Sequence, residues 1–203
     1  MVETGWVPVA LSVDVEAGTS CGTRIAGREL VVWRDNAGVA HVWEDRCPHR
    51  GMRLSFGFVR GDHLACLYHG WQFAADAQCR LIPAHPDITV PSTIKATRFG
   101  CIERSGIIWT GAGAEPEDAP VTPVRSVFIE ASVSQVRARL PADGEPLFIR
   151  YDLDGLALLA GLQPVSECVT ALHLVLAGEH AVAVQKRVSR WAMELRQRVE
   201  EPA

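Results

Sequence analysis

Two short segments each carry a cysteine and a histidine almost side by side: Cys47-Pro48-His49 and Cys66-Leu67-Tyr68-His69, with sixteen residues between His49 and Cys66. Each histidine is closely followed by glycine, Gly51 in the first segment and Gly70 in the second. A Cys and a His two or three positions apart on one turn can both face a single metal centre. Two such loops, each bounded by strands, can close around that centre from opposite sides. No other feature of the 203 residues restricts the fold as strongly.

The donor types narrow the metal. Zinc sites usually group their ligands as Cys-x-x-Cys with a later His pair, so a Cys/His mixture in each loop is the wrong grouping for a finger or ribbon. In a Rieske [2Fe–2S] centre two cysteines hold one iron and two histidines hold the other, and one Cys and one His from each loop supply that set. Iron–sulfur is the leading reading and zinc the alternative. The other four cysteines, Cys21, Cys79, Cys101 and Cys168, have no His or Cys partner nearby in sequence. They read as small buried apolar residues.

Hydrophobic residues make up 48% of the chain and charged residues 22%, which excludes a disordered or charge-driven scaffold. The formal charge of 20 − 24 = −4 gives no hint of nucleic-acid binding. The longest apolar run, Leu156–Leu162, contains Gly161 and is too short for a membrane span. Met1-Val2-Glu3-Thr4-Gly5 has no basic segment leading into an apolar stretch, so no cleaved leader is expected and the cytoplasm is the default compartment.

Residues 6 to about 110 read as short strands broken by turns. The candidates are Leu30–Trp33, Val39–Trp43, Gly57–Arg60, His63–Cys66, Arg98–Glu103 and Ile107–Thr110, with Asp35-Asn36-Ala37-Gly38 and Arg104-Ser105-Gly106 as turns. That pattern predicts an antiparallel sandwich over residues 1–112. Residues 113–123, rich in Pro, Ala and acid, read as a linker. Residues 124–203 read as a small α+β domain with strands Val124–Ala131, Leu147–Asp152 and Val169–Ala177 and a terminal helix from about Glu179 to Glu201. On the last strand Leu172, Leu174 and Leu176 alternate with Ala171, His173 and Val175. The apolar residues Val184, Val188, Trp191, Leu195 and Val199 share one helix face, with Lys186, Arg187, Arg190, Arg196 and Arg198 opposite.

Cys47-Pro48-His49-Arg50-Gly51 and Cys66-Leu67-Tyr68-His69-Gly70-Trp71 resemble the two cluster loops of Rieske oxygenases of the vanillate demethylase-like group. The surrounding Leu30–Arg34, Leu54-Ser55-Phe56-Gly57, Gln72-Phe73, Ile82-Pro83-Ala84 and Gly106–Trp109 are similar too. The resemblance covers about residues 5–115. It implies that Cys47, His49, Cys66 and His69 are the cluster ligands, with Arg50, Gly51, Gly70 and Trp71 around them. It also implies that each histidine binds iron through one ring nitrogen and leaves the other free for a hydrogen bond. Trp71 either shields the cluster or packs under the loop, and Arg50 either steers an acidic partner or is a solvated charge. Respiratory Rieske proteins add a disulfide and a Ser and a Tyr that hydrogen-bond the cluster. By loop alignment this chain has Trp71 and Phe73 at those two places and no extra loop cysteine.

The second domain of that family holds a mononuclear iron on two His and one carboxylate. After residue 110 only His173 and His180 are available, and Thr170 stands where the resemblance places the first acid. The bland reading is a half-exposed strand histidine and an ordinary helix-start histidine in a shrunken remnant of the domain. The leading functional expectation is an electron-transfer protein or subunit, not catalytic alone. It would take electrons from a reductase or ferredoxin and pass them to a separate mononuclear-iron oxygenase, in an assembly that could be oligomeric. The rival is a small self-contained oxygenase with iron on His173, His180 and an acid such as Asp152 or Glu179. A redox-sensing or binding module is the third reading.

Overall fold

The computed structural model describes residues 5–140 and 143–201, so Met1–Thr4 and Pro202 lie outside the described residues. The first half runs through β1 (Gly5–Leu11), β2 (Thr19–Ile25), β3 (Arg28–Arg34), β4 (Ala40–Glu44), β5 (Phe58–Arg60), β6 (His63–Ala65), β7 (Gln72–Ala74), β8 (Cys79–Leu81), β9 (Arg98–Phe99), β10 (Cys101–Arg104) and β11 (Ile107–Ala112). The second half has β12 (Val121–Ile129), α1 (Val133–Ala138), β13 (Asp143–Glu145), β14 (Phe148–Leu153), β15 (Leu156–Ser166), β16 (Val169–Ala177) and α2 (Val182–Glu200). No helix among them is long and apolar enough to cross a membrane. The fold is mostly β, with antiparallel sheets and one long C-terminal helix.

Two compact units form. One comprises Asp14–Thr23 and Arg28–Cys101, and the other Met1–Val13, Arg24–Gly27 and Ile102–Ala203. In the first, sheet β2-β3-β4-β9 and sheet β5-β6-β7-β8 contribute to one core. Val31, Trp33 and Trp43 come from the first sheet, and Leu64, Phe73 and Cys79 from the second. The β3–β4 hairpin forms where the turn residues predict it. Asp35 Oδ1 accepts the Val39 N–H at 2.9 Å, and the Gly38 N–H donates to the Asp35 carbonyl at 3.1 Å.

The second unit is built on sheet β12-β16-β15-β14-β13. One face packs Leu172 and Leu174 against Val136 and Leu140, at and just beyond α1, and against Ala192 and Leu195 of α2. The other packs Leu159 and Val175 against Leu11 of β1 and Ile107 and Trp109 of β11. β1 and β11 pair antiparallel with each other. Because both faces are covered, Thr170–Leu176 are all buried.

Two expectations are corrected here, one on the strands of the second half and one on the free cysteines. The three strands read for residues 124–203 omit β15, an eleven-residue strand that takes in the apolar run Leu156–Leu162 and pairs with β14 and β16, with a bulge between Pro164 and Ser166 that absorbs the proline. The stretch read as a linker is fastened to the β10–β11 turn. There the Ser105 N–H donates to Asp118 Oδ1 (2.7 Å), Ser105 Oγ to the Glu117 carbonyl (2.9 Å), and the Ala119 N–H to Ser105 Oγ (3.1 Å). Cys168 is exposed because it lies in the two-residue turn joining β15 to β16, and Cys21 and Cys101 are only partly buried; of the four, Cys79 is buried.

Candidate metal centre

The two Cys/His loops share one backbone design. In the first, the Cys47 N–H donates to the Met52 carbonyl (2.8 Å) and the Gly51 N–H to the Cys47 carbonyl (2.8 Å). In the second, the Cys66 N–H donates to the Trp71 carbonyl (2.9 Å) and the Gly70 N–H to the Cys66 carbonyl (3.0 Å). Each loop is thus closed by bonds at positions +5 and +4 from its cysteine. Gly51 and Gly70, at φ +73° and +69°, supply the left-handed residue that such a turn needs. That is the physical reason for a glycine after each histidine.

The loops sit where strands hold them. The second loop links β6 to β7, which pair with each other. The first leaves β4 and is clamped at its base by Asp45, which is buried. Its Oδ1 accepts the Ser55 N–H (2.7 Å) and its Oδ2 the Ser55 hydroxyl (2.6 Å), closing ten residues of chain. Gly57 brings the two loops together. A Cβ there would lie 2.2 Å from the Ala65 carbonyl oxygen, one residue before Cys66, and 2.9 Å from that of Leu54. Both contacts are backbone, so neither can swing aside. Gly57→Ala is expected to destabilise the unit by about 1–3 kcal/mol and to speed loss of bound iron. Guanidinium unfolding and iron retention check it, and an unchanged midpoint would remove Gly57 from the design.

The four side chains divide two and two. Cys47 and Cys66 are buried, at 2% and 3% exposure, with their thiols in contact. His49 is half-buried and His69 exposed, their rings 4.7 Å apart between centroids. The indole of Trp71 lies flat on His49, at 4.3 Å and 4° between planes, and Tyr68 leans on His69 at 3.9 Å. Trp71 therefore covers the imidazole and also packs against the core behind the loop. Burial, and then the neighbouring Cys66 thiol, pushes the Cys47 thiol up to about 12. Two thiolates side by side in such a place are unfavourable unless cations offset them. Neither imidazole has a hydrogen-bond partner among the described residues. Paired buried thiols with paired open imidazoles at the rim fit a binuclear iron–sulfur group, two protein donors per iron. Among the described residues no three His, Cys, Asp or Glu side chains group around a single ion position.

The histidines of the second unit are occupied. His173 is buried at 2% exposure, its Nε2 2.9 Å from Gln163 Oε1 and its Nδ1 2.9 Å from the Ser126 hydroxyl. Gln163 Nε2 donates to the Arg24 carbonyl (2.7 Å), which turns Oε1 toward the ring and sets the proton on Nε2. The expected half-exposure of His173 is corrected, because its face of β16 is the one that β11 covers. The His180 ring bonds its own chain at the Ala177 carbonyl (2.9 Å), and Asp152 Oδ1 caps the turn to Gly155 (3.0 Å). Sequence reading missed the Asp45–Ser55 clamp and the Gly57 contact; the acid just before Cys47 and the Ser-x-Gly after the loop were the available signals.

Residues 5–94 match the family model for the Rieske [2Fe–2S] domain. The chain is 35% identical over 144 residues to the oxidoreductase NdmD of Pseudomonas putida, covering 64% of this chain and 24% of that protein. It is 39% identical over 110 residues to the methylxanthine N1-demethylase NdmA of the same species, covering 51% and 31%. These matches therefore span a third or less of the relatives' own length. The solved NdmA structure from Pseudomonas putida CBB5 superposes with a TM-score of 0.77 at 19% identity, covering 97% of this chain and 81% of that one. Below 25% identity that likeness is one of fold. The match to the family model and the donor set agree: residues 5–94 of this chain form a Rieske domain, of the type that carries a [2Fe–2S] cluster.

Proposed function

We propose that the chain is an electron-transfer component that accepts electrons from a reductase or ferredoxin and delivers them to a separate mononuclear-iron oxygenase. Cys47 and Cys66 would hold one iron and His49 and His69 the other. When bound, the cluster supplies a one-electron couple. The protein's part is to bury the thiolate side, hold the two imidazoles at the surface and leave a ring nitrogen of each facing outward. Residues 1–112 carry this work in the proposal, and 124–203, joined through 113–123, are a remnant of an oxygenase catalytic domain.

The observation that carries this reading is His173. A ligand must offer a lone pair, and both ring nitrogens of His173 are committed to Ser126 and Gln163. With His180 bonded to its own backbone, the two histidines after residue 110 act as structural groups.

The test is iron and acid-labile sulfide per chain on anaerobically purified protein, before and after ferrous iron is offered. About two of each, unchanged by added iron, is the expected result. A third tightly held iron would make the chain an oxygenase in its own right. The same sample should titrate toward the low end of the Rieske range, which runs from about −150 to +300 mV. Hydrogen bonds to the cluster sulfurs raise the potential by stabilising the reduced, more negative state. Trp71 is stacked on His49 and Phe73 is buried in the core, so neither brings a hydroxyl to the site. A midpoint near the high end would refute that account.

A further inference from the structure

We propose that a cleft in the second unit is a binding site for a small organic cation, an amine or quaternary ammonium group carried on an apolar body. None of the residues that line it belongs to the unit that holds the Cys/His loops.

Shape is the first observation. The cleft has a volume of about 650 Å³ and is bounded by β1, β11, the segment 114–117 and the β13–β14 hairpin. That is the size of a small-molecule site. Trp6, Trp109 and Phe148 supply its aromatic lining. Each indole N–H is already committed, Trp6 Nε1 to the Gly113 carbonyl (3.2 Å) and Trp109 Nε1 to the Arg104 carbonyl (3.1 Å). Trp109 and Phe148 meet edge to face, 5.2 Å between centroids and 89° between planes. What these side chains offer a ligand is therefore ring surface rather than a donor. Their surroundings are fastened as well. Ser105 holds the segment 117–119, and the Arg137 guanidinium donates to the carbonyls of Gly144 (3.1 Å), Glu145 (2.8 Å) and Pro146 (3.2 Å). Walls set in place before binding lose little to ordering when a ligand arrives.

Charge is the second. The described residues that line the cleft include Glu115, Glu117, Glu145 and Arg150, three carboxylates to one guanidinium. Glu117 pairs with Arg150, and Glu115 with Arg104. Both pairs are open to solvent and bind each other weakly. Glu145 is exposed and pairs with no cation among the described residues. The faces of aromatic rings and the excess of carboxylate attract the same sign of charge. A neutral guest would use the walls alone, and an anion would face Glu115, Glu117 and Glu145. A cation on an apolar body matches both features.

The experiment uses the iron-loaded chain and, as probe, benzyltrimethylammonium, with benzyl alcohol and phenylacetate as its neutral and anionic counterparts. Titration calorimetry should give saturable binding of the cation, about tenfold or more tighter than either counterpart. Trp6→Ala should weaken that binding about tenfold, and Glu145→Gln about threefold with a flatter salt dependence. Glu179→Gln, at an exposed acid outside the cleft, should leave the Kd unchanged. In saturation-transfer NMR the probe's ring and methyl protons should both take up magnetisation from the protein, and Trp6→Ala should abolish it. Equal affinity for benzyl alcohol would make the cleft a general apolar recess, and tighter binding of phenylacetate would make Arg150 the anchor; either result overturns the proposal. So would the absence of saturable binding, or equal weakening by Glu179→Gln and Glu145→Gln. Should Trp6→Ala fail to fold, Glu145→Gln decides alone, because its change is confined to an exposed side chain.

Discussion

Replacing Cys47 with alanine is expected to empty the centre, from about two irons per chain to a small fraction of one, with loss of the visible absorption of the cluster. The useful comparison is Cys79→Ala. Cys79 belongs to the same core, is buried to a similar degree, and its thiol is likewise pushed up by burial. Its sulfur, however, lies 3.7 Å from the Leu81 carbonyl and has no thiol beside it among the described residues. Removing it should cost about 1 kcal/mol of packing and leave the iron in place. Cys47 differs in what surrounds it: the Cys66 thiol in contact, the loop bonds to Met52 and Gly51, and the imidazoles at the rim. Iron analysis and electron paramagnetic resonance on the two variants separate ligand from filler. Retention of the cluster in Cys47→Ala, or its loss in Cys79→Ala at normal folding, would overturn the ligand set.

The two Cys/His loops were legible because their chemistry is local. A Cys, a His and a left-handed Gly within five residues encode one loop, and the repeat at Cys66 encodes its counterpart. The β3–β4 hairpin was legible for the same reason, since Asp35 and Gly38 specify the turn by their own side-chain and backbone chemistry. Elements defined by distant partners were not. β15 is a near-continuous apolar run because helices cover one of its faces and β1 and β11 the other, so the alternation that marks a half-buried strand is absent. β7 and β8 have three residues each, too few for any period. The Asp45 clamp spans a loop, and no spacing rule announces a carboxylate meeting a serine ten residues on. His173 shows both sides of this. Alternation placed it opposite Leu172 and Leu174, but its burial depends on residues some sixty positions earlier in the chain, Ile107 and Trp109.

That burial makes acid sensitivity the other large expected effect. Burial holds the His173 imidazole down at about 4 in the folded chain, against an ordinary value of about 6.5 when unfolded. Between those two values the unfolded chain takes up a proton that the folded chain refuses, so stability falls as the pH drops from about 6.5 toward 4. The full difference is on the order of 3 kcal/mol. The groups bonded to the ring, Ser126 and Gln163, are uncharged and offer an imidazolium no compensation. His63 also has its pKa lowered by burial, with Arg80 adding to it, and would contribute in the same direction. The isolating experiment therefore compares the protein with His173→Gln, whose amide can still bond within the buried chain but cannot titrate. Unfolding free energy measured from pH 4 to 7 should fall more steeply in the parent, by up to one proton's worth of slope. Parallel curves would show that His173 is not the proton-linked group, whatever each protein's stability at pH 7.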